Sequence, residues 1–201
     1  MNTWIRFLAV LPPASLGGLM STMSNAENLH AEWLLAYREA ARVEGQARDF
    51  DFLRGRWLVE NRRLVERLHG SHQWQEFRAQ STCYPLPGGI GNRDEFRTDF
   101  WPGYVGMSLR FFDARTGQWS IYWIDNRSGT LQPPVTGGFV GDVGVFEGTD
   151  VFEGRPIRVR YTWSHVAGAT PRWEQAFSAD DGKTWETNWV MNFTRLDTTA
   201  Y

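Results

Sequence analysis

The sequence predicts an all-β fold, an antiparallel up-and-down barrel of about ten strands: turn spacing and aromatic content indicate the strands, and the residues at the two ends of the strand region favour the barrel. After Phe50, strand-like runs alternate with turn signals at about ten-residue spacing, which is typical of an antiparallel barrel or sandwich. The chain has 11 Trp, 13 Phe and 6 Tyr residues, large side chains that can fill a β core. No Ser-rich or Pro-rich linker divides residues 48–197, so we expect one barrel domain there.

Composition argues against two classes of partner. The 201 residues carry a formal net charge of −2, and no basic stripe is available to displace counterions from phosphates. We therefore expect no binding to nucleic acid. The apolar run from Trp4 to Leu19 is short and is broken by Pro12 and Pro13, so we expect no membrane span.

The N-terminal part is expected to differ from the barrel. Residues 1–25 are interpreted as a flexible or mis-annotated segment; residues 1–26 weakly resemble a signal peptide, and Met20 or Met23 is an alternative start. We favour a cytoplasmic protein. Residues 26–47 predict an amphipathic helix whose apolar face packs on the barrel or forms a homodimer interface. Its apolar positions recur at spacings of three and four: Leu29, Trp33, Ala36, Tyr37, Ala40 and Val43.

One end of the barrel carries a recognisable pair of signals. Gly55 and Trp57 open the first strand, and Arg195 closes the last. A Gly-x-Trp start with a terminal Arg resembles the closed-end signature of lipocalin-like (calycin) barrels. In those barrels the Trp plugs one end and the guanidinium lies across the indole, a contact that contributes roughly 0.5–2 kcal/mol. The resemblance implies a cup that holds one small ligand.

Strand alternation predicts which side chains line that cup. If Arg195 faces inward, Phe193, Met191, Trp189, Thr187 and Trp185 do too, while Asn188 faces water. Tyr122 is expected outside. The aromatic side chains can equally fill the core, and this alternative stays open. The expected ligand-binding residues are Asn61, Trp119, Trp123, Asp125, Tyr161, Trp163, Gln175, Trp189 and Met191.

Two residues are candidates for acid–base chemistry. Asp125 shares a face with Trp119 and Trp123, and burial there would raise its pKa as a general base requires. Alternatively, Asp125 begins a turn and accepts backbone N–H bonds. His165 lies near a strand end after Trp163, where it is either a functional imidazole or a solvated loop residue.

No metal or cofactor is expected from the sequence. His69 and His72 flank a Gly-Ser turn without a thiol or carboxylate beside them in the sequence. Nitrobindin-like haem barrels share the Gly-x-Trp opening but place an axial His late in the chain, where this sequence has none. Cys83, the only cysteine, is expected to be an inert thiol. Residues 178–185 fit the pattern S-x-D-x-G-x-x-W once, which predicts a hairpin rather than a propeller.

Residues 48–196 resemble an uncharacterised bacterial family of calycin-like proteins, a domain of unknown function. The stretches that carry the resemblance are residues 49–57, 118–123, 154–160, 172–178 and 183–193. The resemblance implies the fold but no chemistry. Three functions stay open: binding of a small apolar or aromatic molecule, a cofactor-independent isomerase, cyclase or hydratase that uses Asp125 or His165, and a self-associating structural domain.

Overall fold

A computed structural model describes residues 46–196 and, upstream of them, Leu35. The chain separates into two units, residues 1–40 and 41–201, and residues 46–196 belong to the second. The predicted segment over residues 1–25 lies outside the described residues. So does nearly all of the helix predicted over residues 26–47, and both stay predictions, together with a dimer interface on that helix.

Residues 46–196 form ten antiparallel strands that close into a barrel. Each strand pairs with its neighbours along the chain, and β1 pairs with β10, which confirms the all-β, up-and-down prediction. Closure leaves no free sheet edge. The strands are β1 (Gly55–Leu64), β2 (Trp74–Pro85), β3 (Gly91–Thr98), β4 (Tyr104–Asp113), β5 (Gln118–Asp125), β6 (Val135–Val140), β7 (Val143–Phe152), β8 (Arg155–Ser164), β9 (Arg172–Ser178) and β10 (Glu186–Arg195).

The end of the barrel where β1 begins and β10 ends is closed by a short turn of chain. A 3₁₀ turn, Asp51–Leu53, precedes β1. The Trp57 indole is 2% exposed and donates to the Leu53 carbonyl at 2.7 Å. The Arg195 guanidinium lies 4.1 Å from the Trp57 ring centroid and donates to the Arg54 and Phe52 carbonyls at 2.6 and 2.8 Å. The guanidinium therefore ties the last strand to the turn before the first.

Gly55 lets the chain turn from this closed end into β1. Its φ is +102°, a backbone conformation that residues with a side chain rarely adopt. A Cβ atom there would also lie 3.0 Å from Arg195 Nη1. Backbone conformation and space thus both require glycine beside the Arg195 guanidinium.

The apolar core is concentrated toward the closed end. Phe50 is fully buried, and its ring meets Trp119 at 4.9 Å and Phe139 at 5.0 Å, both edge-on. Such edge-to-face pairs contribute roughly 0.5–1.5 kcal/mol beyond area burial. The Trp119 indole also donates to the Gln46 carbonyl at 3.0 Å. Side chains that precede β1 therefore fill the barrel near its closed end and leave the part near the open end unfilled.

Strict alternation fails in the first half of β10. The pairing with β9 shifts between Thr187 and Trp189, so one extra residue is inserted as a β-bulge. As a result Asn188, predicted to face water, is fully buried, and Thr187, predicted to face inward, is exposed. Trp185, also predicted inward, precedes the strand and lies 3.8 Å from the Arg160 guanidinium. Beyond the bulge, Trp189, Met191 and Phe193 line the interior.

Among the described residues, no helix has the length and apolar character needed to cross a membrane.

Candidate functional site

A cavity of about 330 Å³ occupies the barrel interior between the apolar core and the open end, which lies opposite the Trp57 plug. Small-molecule sites typically measure roughly 300–1,000 Å³, so the space suits one small molecule. Its walls come from strands all around the barrel. The aromatic residues that line it are Phe96, Tyr104, Tyr122, Trp123, Phe152, Tyr161, Trp163, Trp173, Phe177, Trp189 and Phe193.

Trp189 is the centre of the aromatic wall. Its ring lies 6.0 Å from Trp173, 6.1 Å from Trp101 and 6.3 Å from Phe96, all close to perpendicular. Its indole N–H donates to Asn61 Oδ1 at 3.0 Å. Asn61 Nδ2 in turn donates to the Val59 carbonyl on the same strand, β1. The Asn61 amide is therefore held by the β1 backbone and fixes the orientation of the Trp189 indole. Trp189 is thus held in one orientation at the cavity wall.

Seven of the nine expected ligand-binding residues line this cavity. They are Trp123, Asp125, Tyr161, Trp163, Gln175, Trp189 and Met191. Asn61 stands behind the wall, where it holds Trp189, and Trp119 packs on Phe50 near the closed end. Tyr122, expected outside, does approach Phe111 at 6.2 Å but also borders the cavity.

The two acid–base candidates do not share the cavity. Asp125 borders it, but its Oδ1 atom accepts the backbone N–H groups of Arg127 and Ser128 at 2.9 and 2.8 Å. That is the turn-capping alternative. His165 is an exposed residue with φ of +56° in the turn after β8, at the closed end of the barrel. It is not among the cavity-lining residues.

The remaining histidines offer no metal cage in the part of the chain that is described. His69 Nε2 lies 2.9 Å from Glu153 Oε2 in an exposed pair between the first and fourth turns of the open end. Over residues 46–196, no three His, Cys, Asp or Glu side chains converge as metal ligands do.

A buried ion pair forms part of the cavity wall, and strand alternation does not predict it. Arg110 is 3% exposed and donates to Asp94 Oδ2 and Asn92 Oδ1, each at 3.0 Å. The other Asp94 oxygen accepts the Ser108 backbone N–H at 3.0 Å. Asn92 and Asp94 alternate with Arg93 and Glu95 along β3, so all four side chains are polar and the sequence of β3 alone is typical of a solvated strand. Only the cation that β4 supplies, Arg110, makes an inward-facing Asp94 plausible. These hydrogen bonds join β3 to β4 inside the barrel.

Two further arginines stand at the open end. Arg63 lies 5.3 Å from the ring centroids of both Trp101 and Trp189. Arg67 lies 4.5 Å from the Phe152 ring centroid and 5.6 Å from that of Phe177. Both arginines line the cavity, and neither forms an ion pair with any residue of the described range 46–196. The position of Arg63 in the cavity could have been predicted, because Arg63 continues the inward face of β1 that Trp57, Val59 and Asn61 define.

The cavity is rich in hydrogen-bond donors. Of the described residues, Arg63 Nε, Arg110 Nε and Trp163 Nε1 are buried nitrogen atoms of cavity-lining side chains without an acceptor. Burial also raises the pKa of Tyr161 above its ordinary value and that of Tyr104 to about 12, so both hydroxyls keep their protons at neutral pH. Buried donors without acceptors are costly, and these three lie within the packed cavity wall.

Fold and site together define a closed ten-stranded antiparallel barrel with an aromatic, donor-rich cavity. Compared with known proteins, the chain matches no family model and shows no significant similarity to a curated protein.

Proposed function

We propose that this protein binds one small apolar or aromatic molecule in the cavity of a calycin-like barrel. The observation that carries the proposal is the aromatic cavity of about 330 Å³, whose central wall residue, Trp189, is held in place by Asn61. A wall that is oriented before the ligand arrives lowers the entropy cost of binding. The polar side chains of Tyr161 and Gln175 add hydrogen-bonding groups to the same wall.

The calycin-like assignment is supported by the geometry of the closed end. Gly55 and Trp57 begin β1, Trp57 pairs directly with Arg195 of β10, and the guanidinium covers the indole. This is the arrangement that the resemblance implied. The up-and-down order of the strands agrees with it. Calycin-like barrels host both binding proteins and enzymes, so the fold leaves the choice of function to the site.

Binding is better supported than catalysis at this site. A general base needs a carboxylate or imidazole within reach of the bound substrate. Asp125 Oδ1 already caps a turn with two hydrogen bonds, and His165 is exposed at the opposite end of the barrel. His165 is therefore out of reach of a bound molecule, and Asp125 serves as a turn cap at the cavity border, whereas the aromatic walls need no further element to bind a ligand.

Replacing Trp189 tests the proposal. N-phenylnaphthylamine, an uncharged aromatic dye whose fluorescence rises on transfer to an apolar site, serves as the probe. We expect one dye molecule per chain, and Trp189→Ala should weaken binding by roughly thirtyfold, since truncating a central Trp costs about 2 kcal/mol. The matched control is Trp74→Ala. Trp74 packs against Arg62 at 5.1 Å and does not line the cavity.

Two results would count against the proposal. One is the absence of saturable dye binding to folded wild-type protein. The other is an equal loss of affinity in the Trp189 and Trp74 variants, because a surface site would then account for the dye. Native mass spectrometry of freshly purified protein adds a second measurement, and we expect a bound small molecule that is released by unfolding.

A further inference from the structure

We propose that the natural ligand is an aromatic monoanion, with its flat body in the cavity and its carboxylate or similar acidic group bound by Arg63 and Arg67 at the open end. This inference rests on the proposed binding function and specifies the ligand class. It assigns a binding role to two arginines that strand alternation had not placed in the site.

The first argument is position. Arg63 belongs to β1 and Arg67 to the turn that follows it, so both guanidinium groups approach the cavity from the same part of the open end. Arg63 lies over two rings, those of Trp101 and Trp189, and Arg67 lies over those of Phe152 and Phe177. An aromatic ring attracts a guanidinium through its π face without accepting its in-plane N–H hydrogen bonds. The planar donors stay available for a ligand.

The second argument is that nearby carboxylates are engaged elsewhere. Glu186 Oε1 accepts the Leu68 backbone N–H at 2.7 Å, and Glu153 Oε2 faces His69 at 2.9 Å. On the other strands, Asp150 Oδ1 accepts the Val151 N–H at 2.7 Å, and Asp125 caps its turn. Over residues 46–196 none of these carboxylates forms an ion pair with Arg63 or Arg67.

The two guanidinium groups also oppose each other electrostatically. Burial lowers the pKa of Arg67, and the neighbouring charge of Arg63 lowers it further. Burial likewise lowers the pKa of Arg63. The charges of Glu153 and Glu186 offset part of this effect on Arg67, but over residues 46–196 no carboxylate forms an ion pair with either guanidinium. A bound anion that accepts hydrogen bonds from both would lower the remaining cost.

The distribution of charge along the cavity indicates a monoanion with an aromatic body. Deeper in the barrel, the Arg110 guanidinium is already neutralised by Asp94. The cavity-lining arginines that form no ion pair within residues 46–196 are therefore at the open end, where Asp125 and Asp150 also border the cavity. Below that end the walls are aromatic, with Trp163 and Phe193 near the core. A polyanion would have to place charge among these rings, whereas one acidic group on a flat body matches both regions.

A pair of competitors with the same shape tests the inference on unmodified protein. Naphthoate and naphthamide differ in little more than one negative charge, and each is titrated against bound N-phenylnaphthylamine. We expect naphthoate to displace the dye at a concentration at least about tenfold lower, because a charge-assisted hydrogen bond is roughly twice as strong as a neutral one and two arginines contribute. Equal displacement by the two compounds would overturn the inference.

Variants of the two arginines then test whether Arg63 and Arg67 cause the preference for naphthoate over naphthamide. The double variant Arg63→Gln/Arg67→Gln should abolish the advantage of naphthoate, so that the ratio of the naphthamide to the naphthoate displacement concentration falls to about one. The control is Arg78→Gln on β2, whose side chain is 75% exposed and does not line the cavity. It should keep the wild-type preference. A preference that survives in the double variant would show that other residues bind the anion and would overturn the assignment.

The remaining outcomes separate the two proposals. If naphthamide and the dye bind as well as naphthoate, the binding function stands and the anion inference fails. If none of the three compounds binds to folded wild-type protein, both fail. Should thermal melts show that the double variant is unfolded, the single variants Arg63→Gln and Arg67→Gln replace it, and each is expected to lose part of the naphthoate preference. A preference unchanged in both would contradict the inference.

Discussion

At the scale of single residues, Trp57 does more than fill space. Its ring is buried, its N–H is satisfied by the Leu53 carbonyl, and its face carries the Arg195 guanidinium. Three different interactions thus converge on one side chain and join the first strand, the last strand and the turn before the barrel. This convergence explains why a Gly-x-Trp start and a distant Arg can be recognised together in a sequence.

Replacing Trp57 should therefore destabilise the barrel strongly. We expect Trp57→Ala to lower the free energy of unfolding by about 3–5 kcal/mol, the usual cost of truncating a buried Trp. Urea denaturation followed by circular dichroism measures the change. Trp74→Ala, which removes a Trp from the outer surface beside Arg62, should cost much less. Equal midpoints for wild type and the Trp57 variant would contradict the role assigned to the indole at the closed end.

The residues of the cavity show which part of a site alternation can predict. Trp123, Trp163 and Gln175 fall on inward faces that a period of two identifies, and all three line the cavity. Arg110 was not predicted, because a charged residue inside a barrel becomes plausible only when its partner Asp94 on the neighbouring strand is known. Such a pair depends on the register between strands, which one strand's pattern does not contain.

At the scale of elements, β10 is the strand that departs from its own pattern. The sequence between Trp185 and Arg195 alternates cleanly, which suggests one continuous inward face. The bulge between Thr187 and Trp189 divides that face and turns Asn188 into the barrel wall. There Asn188 Oδ1 accepts a hydrogen bond from Gln175 Nε2 at 2.8 Å. The bulge thus fixes the amide of a cavity-lining residue on the adjacent strand.

Removing the Asn188 side-chain amide should lower the stability of the protein, because it removes the hydrogen bond to Gln175. We expect Asn188→Ala to destabilise the protein by about 1–3 kcal/mol, since it leaves the buried Gln175 amide without its acceptor. The control is Asn192→Ala in the same strand. Asn192 accepts a bond from Arg172 at 3.2 Å in a partly exposed pair, so its loss should cost about 1 kcal/mol or less. If the two variants unfolded at the same denaturant concentration, the Asn188–Gln175 bond would not be a stabilising contact.

At the scale of the whole molecule, ring closure makes the barrel depend on every strand. Each strand is hydrogen-bonded on both sides, so no strand can leave without breaking two ladders. We therefore expect residues 46–196 to unfold cooperatively rather than strand by strand. The number of strands was predictable from turn spacing, and their up-and-down order from the resemblance to calycin-like barrels. The cavity was not, since its size depends on how far Phe50 and its neighbours fill the interior.

Cys83 provides a measure of that cooperativity. It is 3% exposed on β2, and burial raises its thiol pKa to about 12, so the folded protein presents almost no thiolate at pH 8. We expect iodoacetamide to label Cys83 only in molecules that have unfolded, and therefore no faster than global unfolding followed by tryptophan fluorescence. The control places a cysteine on the exposed turn after β5, Ser128→Cys in a Cys83→Ala background, and should react at the rate of a free thiol. Labelling of Cys83 much faster than global unfolding would show that β2 separates from its neighbours in a local opening, and the barrel would not unfold as one cooperative unit.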